Sequence, residues 1–190
     1  SIGISEQVTL NVGVNAQVLT LNNSWALEPR AGIKWQFSPK SSFALAYGVH
    51  SRMEKMDVYF VKTQGTGDRS VNKDLGFTRA HHVMLSYGFK ISDNMNMKIE
   101  PYFQQLYDVP VIADSSYSVL NRRDFYVENA LVNRGKGRNI GVDITLERYL
   151  NKGLYYMVTA SIFDSKYYGG DRKWRNTLYN RNFIVNVLGG

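Results

Sequence analysis

Strict two-residue alternation of apolar and polar side chains, recurring in eight segments, constrains this chain more than any other feature. From Val8 to Val18 the even positions are Val8, Leu10, Val12, Val14, Ala16 and Val18, with Thr9, Asn11, Gly13, Asn15 and Gln17 between them. Successive strand side chains point to opposite faces, so this segment has one apolar and one polar face. The second segment sets Leu27, Ala31, Ile33, Trp35 and Phe37 against Glu28, Arg30, Lys34 and Gln36; the third sets Phe43, Leu45 and Tyr47 against Ala44, Ala46 and Gly48. The pattern returns around Val83–Ile91, Met95–Phe103, Ile140–Leu146, Tyr156–Ile162 and Phe183–Val187. No comparable stretch carries the 3.6-residue period of a helix. The expected fold class is all-β, an antiparallel sheet with about eight strands visible.

The connections between these strands alternate in length. Ser38-Pro39-Lys40, Ser92-Asp93-Asn94 and Asn151-Lys152-Gly153 have the chemistry of tight turns. Leu21-Asn22-Asn23-Ser24 is a short link, and long polar excursions are predicted near 49–77, 109–135 and 166–176. Long loops at one end, short turns at the other and strands of about ten residues describe a transmembrane β-barrel. The polar face supports this, because Arg30, Lys34, Lys90, Lys98, Glu100, Asp143 and Glu147 could not lie unpaired in the dry core of a sandwich. A water-filled lumen removes that cost. Trp35, Phe37, Tyr47, Phe89 and Tyr156 fall near strand ends on the apolar face, where an interfacial girdle places aromatics.

Composition excludes several other classes. The 190 residues include no cysteine, which excludes disulfides, cysteine-ligated zinc and a cysteine nucleophile. No run of 18 apolar residues encodes a transmembrane helix. A mean hydropathy of −0.31 is compatible with a barrel, since half of every strand and all loops face water. The net charge of +7 is too mild to argue for nucleic acid, and no nucleic-acid partner is expected. The chain opens at Ser1-Ile2 without a signal-peptide pattern and stops at Gly189-Gly190 directly after a strand-like run, as an internal piece of a longer chain would.

Several segments also resemble a known group. Leu27-Glu28-Pro29-Arg30-Ala31-Gly32, Phe103 to Val111, Asn133 to Asp143, Thr145 to Gly153, Ser161 to Tyr167, Trp174 to Thr177 and Tyr179 to Arg181 are similar to the barrel of Bacteroidetes-type TonB-dependent outer-membrane receptors. The subgroup is the one with an N-terminal carboxypeptidase-regulatory-like domain. The resemblance covers nearly the whole chain and is strongest from Glu100 onward. It implies a 22-stranded barrel, of which residues 1–190 form part of one domain, with the plug and the TonB box outside the chain. It further implies a bacterial outer-membrane location, outer-membrane lipid and a small nutrient ligand as partners, and the TonB complex engaged through other parts of the parent. The expected function is uptake of a siderophore, vitamin, peptide or oligosaccharide with energy from the inner membrane. Two alternatives stay open: a complete eight-stranded structural barrel, and an outer-membrane barrel enzyme.

No catalytic set is found, and neither a cofactor nor a metal is expected. Adjacent His81 and His82 point to opposite faces of a strand and cannot share an ion. His50 is read as opening a long loop, and Gly65-Thr66-Gly67 and Gly135-Lys136-Gly137 as loop glycines, with no helix N-terminus after either. Function is therefore expected to come from binding. The candidate ligand-contacting loop residues are Tyr117, Arg122, Arg123, Tyr126, Arg134, Lys136, Tyr168 and Trp174. Loop aromatics at a pore mouth can stack on ligands or pack the loops together; packing is the favoured role. The candidate lumen-facing residues are Arg30, Lys34, His82, Lys98, Glu100, Tyr102, Asp143 and Glu147.

Overall fold

A computed structural model describes residues 2–63, 70–122 and 126–190. The alternating segments form β1 (Ile2–Gly3), β2 (Val8–Leu19), β3 (Ser24–Ser38), β4 (Ser41–Arg52), β5 (Thr78–Ser92), β6 (Met95–Val111), β7 (Val132–Asn151), β8 (Leu154–Tyr168), β9 (Trp174–Asn176) and β10 (Phe183–Gly189). Every neighbour pairs antiparallel in chain order from β1 to β8, and β10 then pairs with β8. The short β9 pairs with the outer end of β8, beyond the reach of β10. Eight of these strands match the eight alternating segments; β1 and β9 are short additions. Among the described residues no ladder joins β10 to β1 or β2, so the sheet is an open wall rather than the closed eight-stranded barrel held open as an alternative.

The register keeps the two faces apart across the whole sheet. Leu45 pairs with Ile33 and Leu85, and Ile144 pairs with Ile99 and Ala160, so apolar residues meet apolar residues on one face. Many of them are exposed, including Val12, Ile33, Leu45, Ile144, Ile162 and Val187. Two prolines lie on this face where the ladders allow them. Pro29 sits just past the end of the β3–β4 ladder, and the β5–β6 ladder skips Pro101 and resumes in the same register. Neither proline has an N–H to donate.

The position of the apolar run gives the strand tilt. On β2 its midpoint is Gly13, which the register connects through Arg30, Gly48, His82 and Gln104 to Asn139 on β7. On β8 the midpoint of Tyr156–Ile162 is Thr159, which pairs with Thr145. The run has therefore moved from the Asn139 level to the Thr145 level over six strand spacings. At about 3.3 Å per residue and about 4.8 Å per strand, this is a tilt of roughly 35°, the value typical of membrane barrels. On β7 the outward Arg138 and Arg148 bracket the run. Ten residues at that tilt separate them by about 27 Å across the membrane, close to the ~25 Å apolar band of outer-membrane barrels.

The turns lie at one end. Lys152 (φ 53°) and Gly153 (φ 80°) connect the paired Asn151 and Leu154, and two positive φ values in a row make the type I′ hairpin whose twist suits a strand pair. At the other end the strands run further than the sequence reading placed them. β4 reaches Arg52, β6 reaches Val111 and β7 begins at Val132, so His50 and the run Arg134–Arg138 are strand residues. Irregular register between Leu106 and Pro110, with Asp108 at φ 54°, carries β6 and β7 past the alternating segment without breaking their pairing. The periodicity lapses at this bulge, which is why it read as loop.

The buried hydrophobic cluster is not in the wall. Leu19 and Ala26 at strand ends pack with Val58, Tyr59, Val61, Leu75 and Phe77 of the β4–β5 connection and with Val127 and Leu131 before β7. A single helical turn, α1 (Met56–Tyr59), places Val58 and Tyr59 fully inside it. The wall thus carries two exposed faces and the loops carry the core.

Substituting Val142, which pairs with Pro101 and Ile162 on the apolar face, should distinguish those faces. In the bilayer-embedded protein, Val142→Arg should cost about 2–4 kcal/mol, and Asp143→Asn on the opposite face less than half of that. Urea titration of the refolded protein reads both; equal costs would reverse the face assignment.

Candidate functional site

Alternation sends Arg30, Lys34, His82, Lys98, Glu100, Tyr102, Asp143 and Glu147 to the polar face together. The sheet curls towards this face and forms shallow grooves there. One of about 580 Å³ is lined by Lys34, Lys90, Lys98, Glu100 and Glu147, drawn from strands as far apart as β3 and β7. Within it Lys98 Nζ lies 2.8 Å from Glu100 Oε1. A second, of about 410 Å³, is lined by His82, Tyr102, Gln104, Asn139, Asp143 and Tyr179. Arg30, His50 and His82 line a third.

The polar face also holds Glu28 and His50, neither of them among the candidate site residues. Glu28 is almost fully buried and accepts from Asn15 Nδ2 at 3.0 Å, Gln17 Nε2 at 2.8 Å, the Ser51 backbone N–H at 2.7 Å and Arg30 at 3.0 Å. One carboxylate thus ties β2, β3 and β4 below the loop core, with its charge compensated by donors. His50 continues the series Ala44, Ala46, Gly48 and lies with its ring 6.2 Å from His82, which meets Tyr102 edge-on at 6.4 Å. The parity of β4 could have revealed His50, had the strand not been ended early. His81 is on the other face, where Nδ1 is 2.8 Å from the Tyr47 hydroxyl and the ring stacks on Tyr107.

Above the grooves the long loops form a roof. Asn72, almost fully buried, donates to the Asn129 carbonyl at 3.0 Å and accepts from the Leu131 N–H at 2.7 Å, joining the loop after β4 to the loop after β6. Asn133 accepts from the Gly76 N–H and donates to the Asp108 carbonyl. The third loop joins through the Asp171 N–H on Ser115 and the Leu178 N–H on Asn121. Within that loop Arg175 donates to Asp171 at 2.9 Å, which holds the Asp171 carboxyl below its ordinary range. Glu54 is buried under the roof; burial pushes its carboxyl up against the pull of Arg52 and Arg122.

The candidate loop residues divide among several places. Tyr117 packs half-buried against the loop core, Arg122 follows a 3-10 turn at Val119–Asn121, and Tyr126 is one of the most exposed aromatics. Arg123 and Phe125 lie outside the described residues, as do Gly65-Thr66-Gly67. Arg134 is exposed near the start of β7. Lys136, Tyr168 and Trp174 share the face of Ile140 and Val142, opposite the grooves. Of the loop aromatics, Tyr59 and Tyr167 are buried, whereas Phe60 and Tyr126 project.

No family model matches the chain, and no curated protein matches it by sequence. Solved structures do. The siderophore receptor PiuA from Acinetobacter baumannii superposes with a TM-score of 0.68 at 12% identity, over 98% of this chain and 29% of that one. The outer membrane transporter YddB from Escherichia coli gives 0.67 at 13%, over 96% and 29%. The FrpB iron transporter from Neisseria meningitidis gives 0.60 at 16%, over 90% and 25%. The fold is therefore that of part of the wall of an outer-membrane β-barrel. The chain spans less than a third of the length of each of these proteins.

Removing the buried amide of Asn72 tests the roof. Asn72→Ala leaves the Leu131 N–H without its acceptor, at a local cost of about 1–3 kcal/mol. Hydrogen exchange should rise around residues 70–77 and 126–131 and stay unchanged in β7 and β8; an unchanged roof would mean that its packing does not depend on this link.

Proposed function

We propose that the chain is barrel wall and external loops of a TonB-dependent outer-membrane receptor that imports a scarce nutrient, acting by binding rather than by chemistry. One observation carries the reading: nearly the whole chain superposes on between 25% and 29% of the length of three transporters or receptors, two named for iron or siderophore traffic. An open sheet supports it as well. Unpaired edges are not viable in hydrocarbon, so β2 and β10 need neighbouring strands, which a larger barrel supplies. The polar grooves then face a lumen, and the interlocked loops cover its mouth. Membership of the Bacteroidetes-type subgroup rests on the sequence motifs named above, and coupling to TonB on the resemblance.

In this reading Tyr117, Arg122, Tyr126 and Arg134 are ligand contacts at the mouth, and the polar-face set from Arg30 to Glu147 lines the lumen. The basic loop residues suit an anionic nutrient, such as a metal chelate or an acidic sugar.

Orientation is the direct test. In intact cells expressing the parent, a cysteine at the exposed Tyr126 should react with an impermeant reagent, and a cysteine at the turn residue Asp93 should react only after the envelope is opened. The parent should also crosslink to the C-terminal domain of TonB. The reverse labelling pattern, or no crosslink under conditions where a known receptor gives one, would overturn the assignment.

A further inference from the structure

At the loop end of β7 and β8 the apolar face carries a cluster of charges. Lys136 and Arg138 on β7 and Asp164 and Lys166 on β8 share the face of Ile140, Val142 and Ile162, because the β7–β8 ladder runs without a register break from Lys136 to Arg148. Lys136 and Arg138 are held by rings on the same face. Lys136 Nζ lies 5.9 Å from the centre of the Tyr168 ring, and the Arg138 guanidinium lies 5.7 Å from that of Trp174. The two rings are 5.4 Å apart. Lys166 Nζ is 3.2 Å from Asp164 Oδ2, and Asp164 also accepts from Asn180 Nδ2 at 2.9 Å. Three cations thus stand against one carboxylate that is already engaged.

Depth and neighbours define what fits this cluster. Arg138 is five residues above Asp143, the middle of the apolar run on β7, which is about 13 Å from the membrane midplane at the tilt derived above. That is the boundary between hydrocarbon and headgroups. Directly below are the exposed Ile140, Ile162 and Phe183, and the grooves are on the opposite side of the sheet. A solute in the lumen cannot reach these cations. A lipid with an anionic head and acyl chains meets both tiers at once.

We propose that Lys136, Arg138 and Lys166 form a binding site for the phosphorylated headgroup of an outer-leaflet glycolipid. Lys136 and Arg138 donate charge-assisted hydrogen bonds to phosphate oxygens, with Tyr168 and Trp174 holding the two cations in place. Ile140, Ile162 and Phe183 take the first acyl chain segments. The assignment to the outer leaflet rests on the orientation proposed above, which the Tyr126 and Asp93 cysteines read independently of lipid binding.

The test uses the purified parent protein in neutral detergent, titrated with bis-phosphorylated lipid A and followed by native mass spectrometry. The double variant K136Q/R138Q should weaken retention about tenfold or more, as the loss of two charge-assisted hydrogen bonds requires. Lipid A stripped of its phosphates should bind the wild type as weakly, and inorganic phosphate alone should not compete at equal concentration. Arg148→Gln, outward on the same strand but at the turn end, should bind like the wild type. Should the double variant fail to fold, Lys136→Gln and Arg138→Gln singly, each checked by heat-modifiable mobility, should each lose part of the affinity. Unchanged retention in these variants, equal binding of dephosphorylated lipid, or an equal loss in Arg148→Gln would overturn the proposal.

Discussion

An unbroken antiparallel ladder is the element on which the rest of this structure depends. In hydrocarbon an unpaired backbone N–H or carbonyl costs several kcal/mol, so a strand that crosses must be paired on both sides along its length. From β2 to β8 the pairing is continuous except near Pro101 and at bulges close to the strand ends. Because the register holds between those bulges, residues on one face of a strand meet residues on the same face of the next. Two separate surfaces, one apolar and one polar, follow from that single condition.

Those surfaces meet different solvents, which explains the unusual location of buried apolar residues. In the wall, side chains such as Val14, Leu45 and Ile162 are exposed because lipid is their environment. Only the loops, which stand in water, need a core of their own, and they build one from Val58, Tyr59, Phe77 and Leu131. Asn72 and Asn133 cross-link them through backbone groups that would otherwise be orphaned. A roof organised this way can present exposed side chains such as Tyr126 on a defined frame.

The charges follow the same division. On the polar face Glu28, Glu100 and Asp143 sit among donors, cations and water-accessible grooves. On the apolar face the charges near the loop end are held by rings or by each other, at the level where the apolar band ends. On β7 the outward Arg138 and Arg148 mark the edges of that band.

The sequence by itself determined the fold class, the strand count to within the short β1 and β9, and the face of the residues inside the eight alternating segments, because period-two alternation is a local property and an error of one residue would expose every charge to lipid. It also placed Arg30, Lys34, His82, Lys98, Glu100, Tyr102, Asp143 and Glu147 on one face. Only the tertiary structure decided where the strands end, since the bulge at Asp108 hides the continuation of β6 and β7, and it moved His50, Arg134 and Lys136 from loops into strands. It alone brought Asn72 to Leu131, Glu28 to Ser51 and Arg138 to Trp174, and put Lys136, Tyr168 and Trp174 on the lipid side. These contacts join residues far apart in the chain, and their partners are chosen by register and loop packing, which no local pattern encodes.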